Sequence, residues 1–254
     1  MTYKTVAIRA AKKAGQALQK LSERKIVRSK GAHDILAEGD LVSERIILEE
    51  IRRNFPAHSI LSEEEGKENH GKNFRWIIDP IDGTINFSRY LEEWCISIAL
   101  EHRNELKLGL IYQPVLNKLY VAERGKGATL NGHKLSVSKQ SKCVESILAT
   151  DNSGNIPGRI GNFKLLANIC DEFRHVRILG SGSLHLARIA EGQIDVYYKT
   201  QFNYWDYAAG MLLVDEAGGK VTDFRGQKAS SNSRDILASN GLLHRKALEL
   251  IRSN

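Results

Sequence analysis

Residues 76–87 read Trp-Ile-Ile-Asp-Pro-Ile-Asp-Gly-Thr-Ile-Asn-Phe, and this stretch decides both the fold and the chemistry of the chain. An apolar run, residues 76–78, leads straight into Asp79, Pro80 is expected to end the run, and Asp82 follows. Unpaired carboxylates beside a core are costly, whereas a bound cation makes such a pair favourable. The Gly-Thr dipeptide that comes next offers backbone N–H groups and a hydroxyl, which suit a phosphate. The stretch therefore predicts metal-assisted phosphate chemistry at the carboxyl end of a buried strand, where ligands gather in open α/β sheets. The alternative is an Asx-type turn with Pro80 at its second position.

The composition is that of a globular chain with a sizeable core. It has 254 residues, of which 42% are hydrophobic and 26% charged, enough for one large domain or two closely packed halves. The net charge of +7 favours anionic partners such as phosphorylated metabolites, nucleic acid or a membrane surface, although a solvated basic surface is the simpler interpretation. The basic residues form no run of five and no strip interleaved with aromatic residues, which argues against a single-strand nucleic-acid binder.

The three cysteines, Cys95, Cys143 and Cys170, favour reduced thiols over a disulfide framework or a zinc site. Their number is odd, and no Cys-x-x-Cys occurs. Cys95 and Cys170 have apolar neighbours and are expected in the core. Because the first residues lack a hydrophobic signal region and no apolar stretch reaches about 18 residues, we expect a soluble, cytoplasmic protein without a membrane anchor.

Hydrophobic periodicity predicts layered α and β elements, with two sheets sandwiched by helices. Residues 23–33 are basic and are expected to be exposed and mobile, and residues 66–74 are expected to form a polar loop. Helices are predicted at 5–22, 40–53, 159–172, 183–191, 206–217 and 243–252, and strands at 59–62, 95–100, 106–112, 118–123, 146–150, 175–179, 194–198, 220–223 and 236–239.

Other acidic residues have simple structural interpretations when taken alone. Asp40 and Asp206 are predicted N-caps of the helices that follow them, and Glu63 begins a Glu triplet that is typical of a solvated turn. A cap and a metal ligand are compatible, because a carboxylate has spare lone pairs. Residues 180–183, Gly-Ser-Gly-Ser, match half of a dinucleotide fingerprint, but His185 replaces its third glycine and argues against a nicotinamide site.

Taken together, these segments resemble the inositol monophosphatase family. Residues 76–87 fit the family pattern Trp-x-x-Asp-Pro-x-Asp-Gly-Thr-x-Asn-Phe at every defined position. Residues 205–210 match Trp-Asp-x-Ala-Ala-Gly, and Glu-Ala-Gly-Gly follows at 216–219. Residues 62–64 match Gly-Glu-Glu with Ser for Gly, and residues 34–40 match Asp-x-Val-Thr-x-x-Asp with Leu for Val and Ala for Thr. The resemblance covers nearly the whole chain.

The resemblance implies an α/β (α+β layered) fold, an α-β-α-β-α five-layer sandwich similar to fructose-1,6-bisphosphatase, assembled as a homodimer. Residues 1–140 would form an N-terminal half with most metal ligands, and residues 141–254 a C-terminal half with the second motif, together one catalytic unit. The implied activity is Mg²⁺-dependent hydrolysis of phosphate monoesters, inhibited by Li⁺.

The resemblance also implies a set of metal ligands. Glu63, Asp79 and the backbone carbonyl of Ile81 would hold one Mg²⁺, Asp79, Asp82 and Asp206 a second, and Glu63 would also touch a third, weaker ion. An all-oxygen ligand set suits Mg²⁺ or Mn²⁺ and argues against zinc.

The implied catalytic residues are Glu63, Thr84 and Asp40. Thr84, oriented by Asp40, would position the attacking water and help remove its proton. The backbone N–H groups of Gly83 and Thr84 would hold the phosphate, and Lys30 with its mobile segment would close over the site. The implied substrate-binding residues are Asp82, Gly83, Thr84, Gly182, Lys199 and Asp206.

Lys199 is the main departure from the family pattern. Members that prefer inositol phosphates carry a Glu seven residues before the second-motif Asp, where it accepts hydrogen bonds from inositol hydroxyls. Lysine cannot accept such bonds and would favour an anionic group on the far side of the substrate, unless its flexible side chain extends into solvent. Lys199 thus leaves the identity of the substrate open, and the alternatives are a fructose bisphosphate, a histidinol phosphate, a nucleotide 3′-phosphate or another sugar phosphate.

A different class of function is also compatible with the sequence. A protein on the same fold that binds RNA or the transcription machinery is permitted by the charge of +7, since a fold alone does not fix a function. Salt-sensitive binding of RNA would distinguish it from a phosphatase alone.

Overall fold

The computed structural model describes residues 1–31, 34–70, 73–152 and 156–253, and the side chains of residues 30, 31 and 34 lie outside this description. Within these residues the helices are α1 (Tyr3–Gln19), α2 (Glu38–Asn54), α3 (Thr84–Ser88), α4 (Ile156–Ile169), α5 (Gly182–Ala190), α6 (Tyr204–Glu216) and α7 (His244–Arg252), with short 3₁₀ turns at Cys143–Glu145 and Cys170–Glu172.

The strands of the described residues fall into three sheets. In chain order they are β1 (Ile26–Gly31), β2 (Asp34–Ala37), β3 (Ser59–Ser62), β4 (Gly66–Glu68), β5 (Phe74–Asp82), β6 (Cys95–His102), β7 (Glu105–Gln113), β8 (Lys118–Glu123), β9 (Gly127–Leu130), β10 (His133–Lys134), β11 (Ile147–Ala149), β12 (His175–Arg177), β13 (Val196–Thr200), β14 (Lys220–Thr222) and β15 (Asp235–Ser239). Among the described residues the first sheet has the order β10-β9-β8-β7-β6-β5-β3-β4, the second β12-β11-β13-β15-β14, and β1 pairs with β2 alone.

The layers follow from strands that are buried on both faces. Alternate residues of β5 divide between two cores: Trp76 and Ile78 pack with α1 and α2, while Ile77 packs with α5 and α6. In the second sheet, Tyr197 packs toward α5 and α6, and Tyr198 packs with α4 and α7. The order is therefore α1/α2, first sheet, α5/α6, second sheet, α4/α7, which confirms the predicted α-β-α-β-α sandwich.

Helix α6 lies between the two sheets and is apolar nearly all round, as expected of a helix without a solvent face. Small residues bring it close to its neighbours. A Cβ at Gly109 of β7 would lie 2.6 Å from the carbonyl oxygen of Ala209, so only glycine permits this approach. Ala208 and Ala209 are fully buried in the same contact. The start of α6 is thereby fixed relative to the first sheet.

Two segments differ from the sequence prediction in part. Residues 25–29 are exposed as expected, but the segment 23–33 also contains β1, which pairs antiparallel with β2, and the loop predicted at 66–74 contains β4, which pairs with β3. Strands made largely of polar residues show no hydrophobic periodicity, so the sequence pattern did not predict them. Lys30 belongs to β1, but its side chain lies outside the described part, so its closure over the site stays a prediction.

The cysteines are all free, and Cys95 is buried as expected. Cys170 is not in the core, because α4 ends at Ile169 and a half-exposed 3₁₀ turn follows. No helix among the described residues combines the length and apolarity that a membrane span requires. The division of the chain at residue 140 stays a prediction.

The buried carboxylate of Glu50 links α1 to α2 through ion pairs. The side chain of Glu50 is 3% exposed and accepts hydrogen bonds from Lys13 at 2.9 Å, from Arg53 at 2.6 Å and from Arg9. Burial opposes its ionisation, but the hydrogen bonds from Lys13, Arg53 and Arg9 outweigh burial and lower its pKa to about 2. The ionised form therefore stabilises the folded chain.

Replacing Glu50 by Gln should lower the free energy of unfolding at about pH 7 by about 1–3 kcal/mol, because it leaves cations of α1 without their counter-charge. The folded-state pKa lies below the unfolded value of 4.5, so this contribution is present above about pH 5 and is lost as pH falls toward about 2. Urea unfolding at several pH values measures both effects. Glu49→Gln, on the exposed face of α2, is the control, and equal losses in the two variants would contradict the prediction.

Candidate metal centre and active site

Three carboxylates from distant parts of the chain meet at one edge of the first sheet. Oxygens of Glu63, Asp79 and Asp206 lie within 4.8 Å of one another. The first two are neighbours because β3 and β5 run parallel, with Ser62 beside Ile78, so that Glu63 and Asp79, the residues that follow, lie side by side. Asp206 comes from the first turn of α6, which lies against this sheet.

A bulge in β5 brings Asp79 and Asp82 to the same cavity. In a regular strand two residues three apart face opposite sides of the sheet. Here Asp79 pairs with Ser97 and Asp82 with Cys95, so the register shifts between them. Pro80, which has no N–H to donate, lies within this shift. The prediction that Pro80 ends the strand is therefore wrong, since β5 continues to Asp82.

The start of α5 holds Asp82. Its Oδ2 accepts hydrogen bonds from the hydroxyl of Ser181 at 2.9 Å and from the backbone N–H of Ser183 at 2.5 Å. Free N–H groups at a helix N-terminus favour a carboxylate there. The Gly-Ser-Gly-Ser turn therefore presents its donors to a carboxylate of the chain itself, which the partial nucleotide motif did not reveal.

Asp40 and Asp206 share one arrangement. Neither is the N-cap that the sequence predicts, because α2 and α6 begin two residues earlier. Each bonds back to the residue before its helix: Oδ2 of Asp40 accepts from the N–H of Ala37 at 2.7 Å, and Oδ2 of Asp206 from the N–H of Asn203 at 3.1 Å. One oxygen orients the side chain, and Oδ1 of Asp40 lies 3.2 Å from the hydroxyl of Thr84.

Gly83 and Thr84 open the short helix α3 directly after the carboxylates. Gly83 has φ +97°, and a Cβ there would lie 2.8 Å from the carbonyl oxygen of Glu93, so this turn requires glycine. The hydroxyl of Thr84 lies within hydrogen-bond distance of both Asp40 and the carbonyl of Ile81, the latter at 3.0 Å. The first N–H groups of α3 have no acceptor within their own helix.

The electrostatics of this cluster fit a divalent cation. Burial, then the charges of Glu63, Asp82 and Asp206, raise the pKa of Asp79 well above its ordinary value. Burial and the charges of Asp82 and Glu63 likewise raise the pKa of Asp206, and Lys199 opposes this rise. Oxygen ligands that repel one another in a partly dehydrated site are what a hard cation such as Mg²⁺ stabilises.

A cavity of about 150 Å³ contains this cluster. Asp40 lies behind the cavity, buried beneath Thr84. The cavity also contacts Gln201, Phe202 and Asn203, which the sequence did not single out, although they lie next to Lys199. The predicted metal and substrate residues among its walls are Glu63, Asp79, Ile81, Asp82, Gly83, Thr84, Gly182, Lys199 and Asp206.

The side chain of Lys199 belongs to the cavity wall and not to the solvent. The residue is 2% exposed, and its ammonium lies 5.6 Å from the centre of the Phe202 ring. Burial lowers its pKa, while the charges of Asp151, Asp206 and Asp82 oppose this. A buried ammonium at the wall is suited to an anionic or strongly hydrogen-bond-accepting group of a ligand.

A buried network behind this wall was missed by the sequence reasoning. Asp151 accepts hydrogen bonds from the N–H of Gly180 at 3.0 Å and from the hydroxyl of Tyr197 at 2.8 Å, and it lies 3.2 Å from Nδ1 of His185. Because Nε2 of His185 accepts the N–H of Leu179, the neutral ring carries its hydrogen on Nδ1 and donates it to Asp151. The available signal was the position of Asp151 just beyond a buried strand.

Comparisons with known proteins agree with this geometry. The model of the inositol monophosphatase family matches residues 2–254. A fructose-1,6-bisphosphatase/inositol-1-monophosphatase of Thermotoga maritima is 38% identical over 226 residues, covering 89% of this chain and 86% of that protein. Nus factor SuhB of Haemophilus influenzae is 37% identical, covering 97% and 94%. The crystal structure of the extragenic suppressor protein suhB of Bartonella henselae superposes with a TM-score of 0.93 at 32% identity, covering 99% and 98%.

Replacing Asp79 by Asn should stabilise the metal-free protein while removing its response to Mg²⁺. The change removes a repelling charge but keeps an oxygen that can accept the N–H of Ile81. We expect the variant to melt about 2–4 °C higher in EDTA, the shift that about 1 kcal/mol produces in a chain of this length. Because the folded-state pKa of Asp79 is raised, the repulsion is absent in acid and grows as pH rises, so the difference should be larger at higher pH.

Melting in EDTA and in MgCl₂ tests both effects, since a ligand that binds only the folded state raises the melting temperature. Asp171→Asn, an exposed carboxylate outside the site, is the control. A lower melting temperature of the Asp79 variant in EDTA, together with an undiminished rise in MgCl₂, would contradict the metal assignment.

Proposed function

Because the chain belongs to the inositol monophosphatase family and is a phosphatase, we propose that it hydrolyses myo-inositol monophosphate or a related sugar phosphate in a Mg²⁺-dependent reaction. One observation carries this proposal: carboxylate oxygens of Glu63, Asp79 and Asp206 converge within 4.8 Å in the cavity that also contains Gly83 and Thr84. The groups that we propose for the metal and for the phosphate therefore lie side by side.

The proposed metal ligands are Glu63, Asp79 and the carbonyl of Ile81 for one ion, and Asp79, Asp82 and Asp206 for a second. When bound, two or three Mg²⁺ ions would neutralise the phosphate, acidify a water molecule and stabilise the leaving alkoxide. Mn²⁺ has similar ligand preferences and is the expected substitute. Support comes from the all-oxygen donor set and from the raised pKa values of Asp79 and Asp206.

The proposed proton acceptor is Thr84. Its hydroxyl would accept a hydrogen of the attacking water and pass its own hydrogen to Oδ1 of Asp40, which lies 3.2 Å away. Asp40 is suited to this because its other oxygen is tied to the N–H of Ala37 at 2.7 Å, which keeps the carboxylate oriented. The N–H groups of Gly83 and Thr84 would hold the phosphate oxygens.

Lys199 is the residue that we propose contacts the alcohol half of the substrate. Its ammonium lies in the wall of the cavity close to Phe202, whose ring packs so closely on Gly182 that a Cβ there would lie 2.3 Å from it. A cation there would bind an anionic group, as in fructose 1,6-bisphosphate, while histidinol phosphate and nucleotide 3′-phosphates remain competing substrates. The Thermotoga relative is named for both bisphosphatase and monophosphatase activities.

The wider assembly is also part of the proposal. A homodimer is supported by an exposed apolar row on α4, where Ile156 and Ile160 are each at least 50% exposed and Phe163 is 41% exposed. Inhibition by Li⁺ follows from the family resemblance. A cytoplasmic location is supported by the three free cysteines.

RNA binding is the competing proposal for a second role. It is favoured by the net charge of +7 and by the relative named Nus factor SuhB. Filter binding of RNA over a range of salt concentrations tests it, because phosphate contacts weaken steeply with salt. Absence of salt-sensitive binding at low ionic strength would remove this role and leave the enzyme untouched.

Release of inorganic phosphate from inositol 1-phosphate, fructose 1,6-bisphosphate, histidinol phosphate and a nucleotide 3′-phosphate tests the main proposal. We expect activity that requires Mg²⁺ and falls with Li⁺. Asp79→Asn should lower kcat about a thousandfold or more, since metal stabilisation of a transition state is worth several kcal/mol. Asp171→Asn should retain activity. Full activity of the Asp79 variant, or equal activity in EDTA, would refute the proposal.

Replacing Lys199 by Glu tests the contact with the far side of the substrate. We expect KM for a bisphosphate to rise about tenfold or more, because a favourable charge contact becomes a repulsive one, with a smaller change for a monophosphate. Lys199→Met removes the charge but keeps the length of the side chain. Its KM for the bisphosphate should lie between those of the wild type and Lys199→Glu. Lys220→Glu, an exposed lysine of β14, controls for net charge. Equal effects on both substrates would reject this role of Lys199.

A further inference from the structure

The helix α2 presents a row of buried polar residues to the site. Asp40, Ser43 and Glu44 share one face of the helix and are 0%, 0% and 3% exposed. Each contacts a different segment: Asp40 the hydroxyl of Thr84, Ser43 the carbonyl oxygen of Pro80 at 2.8 Å, and Glu44 the turn after β3. The resemblance assigned a role to Asp40 alone.

Glu44 directs its carboxylate into the turn that carries Glu63. Oε1 of Glu44 accepts the backbone N–H of Glu64 at 3.2 Å, the backbone N–H of Glu65 at 3.1 Å and the hydroxyl of Ser62. A carboxylate that is removed from water must be satisfied by donors of this kind. The contacts lie on both sides of Glu63 along the chain, so they restrain its backbone before and after the ligand.

The sheet restrains Glu63 at one further point. Its own N–H donates to the carbonyl oxygen of Ile78 at 3.2 Å, next to the ligand Asp79. This bond fixes where the turn begins, but not how it continues away from the sheet. Gly66, with φ +81°, then reverses the chain into β4. Between the end of β3 and Gly66, the carboxylate of Glu44 ties the backbone of the turn to α2, and Arg52 of the same helix contacts the carboxylate of Glu65 at 2.6 Å.

We propose that Glu44 is a positioning residue, which holds the turn after β3 so that the carboxylate of Glu63 faces Asp79 and Asp206 and thereby sets the affinity for Mg²⁺. This inference rests on the proposed function, since it presumes that these carboxylates bind the ion. Groups that orient metal ligands contribute tenfold to a hundredfold in affinity, because a ligand that has to be ordered on binding binds less tightly. Glu44 itself does not line the cavity.

Calorimetric titration of the metal-free protein with MgCl₂ measures the affinity directly. We expect Glu44→Ala to raise the Kd for Mg²⁺ about tenfold to a hundredfold. The concentration of Mg²⁺ that gives half-maximal phosphatase activity should rise by the same factor, while kcat at saturating Mg²⁺ stays close to that of the wild type. Glu44→Gln keeps an oxygen acceptor for the two N–H groups, so it should recover most of the affinity.

Ile51→Ala, a buried apolar residue of the same helix, separates positioning from general destabilisation. It should lower the melting temperature and leave the Kd for Mg²⁺ unchanged. If Glu44→Ala does not fold, Ser62→Ala removes one donor to the same carboxylate and should raise the Kd by a smaller factor. An unchanged Kd in the folded variants, or an equal rise in Ile51→Ala, would overturn the inference. Absence of Mg²⁺ binding by the wild type would overturn the proposed function as well, which distinguishes the two failures.

Discussion

The mutual repulsion of carboxylates in a partly dehydrated cavity is the constraint on which the rest of this structure depends. Glu63, Asp79 and Asp206 would separate if each were free to move, because like charges close together in a medium of low polarity are costly. The fold prevents this by attaching each of them to a rigid element: the end of β3, the bulge of β5 and the first turn of α6. A cation that binds there would find these carboxylates already assembled and would not have to order them.

The three aspartates of the site are held in a common way. Each uses a carboxylate oxygen to accept hydrogen bonds from the protein itself. Asp79 accepts the N–H of Ile81, Asp82 the donors at the start of α5, and Asp206 the N–H of Asn203. Two of these bonds come from backbone N–H groups at a helix start, which have no acceptor within their own helix. The site is therefore built largely from groups that any sequence of this fold must satisfy.

The sequence was informative wherever the chemistry is local. Residues 76–87 carry the strand, both aspartates and the glycine in one continuous pattern, and β8 falls at the predicted bounds. It was less informative about contacts between distant segments. In the sequence, Glu44 is an ordinary helix residue, because its contacts come from the turn after β3. Asp151 likewise forms its network only through three partners from distant segments of the chain. The starts of α2 and α6 were each misplaced by two residues, because a carboxylate in the first turn can bond backward as readily as one at the cap.

The close approach of α6 to β7 has a consequence for how this protein can diversify. A Cβ at Gly109 would lie 2.6 Å from the carbonyl oxygen of Ala209, so the packing of α6 on the first sheet tolerates no larger residue at that position. Lys199 and residues 201–203 line the cavity at the end of β13 and in the short connection after it, and Gln201 and Asn203 are exposed there. Substitution should therefore be tolerated better at Gln201 and Asn203 than in the packed contact between α6 and β7. The wall of the cavity can change at these two positions without moving the helix that carries Asp206.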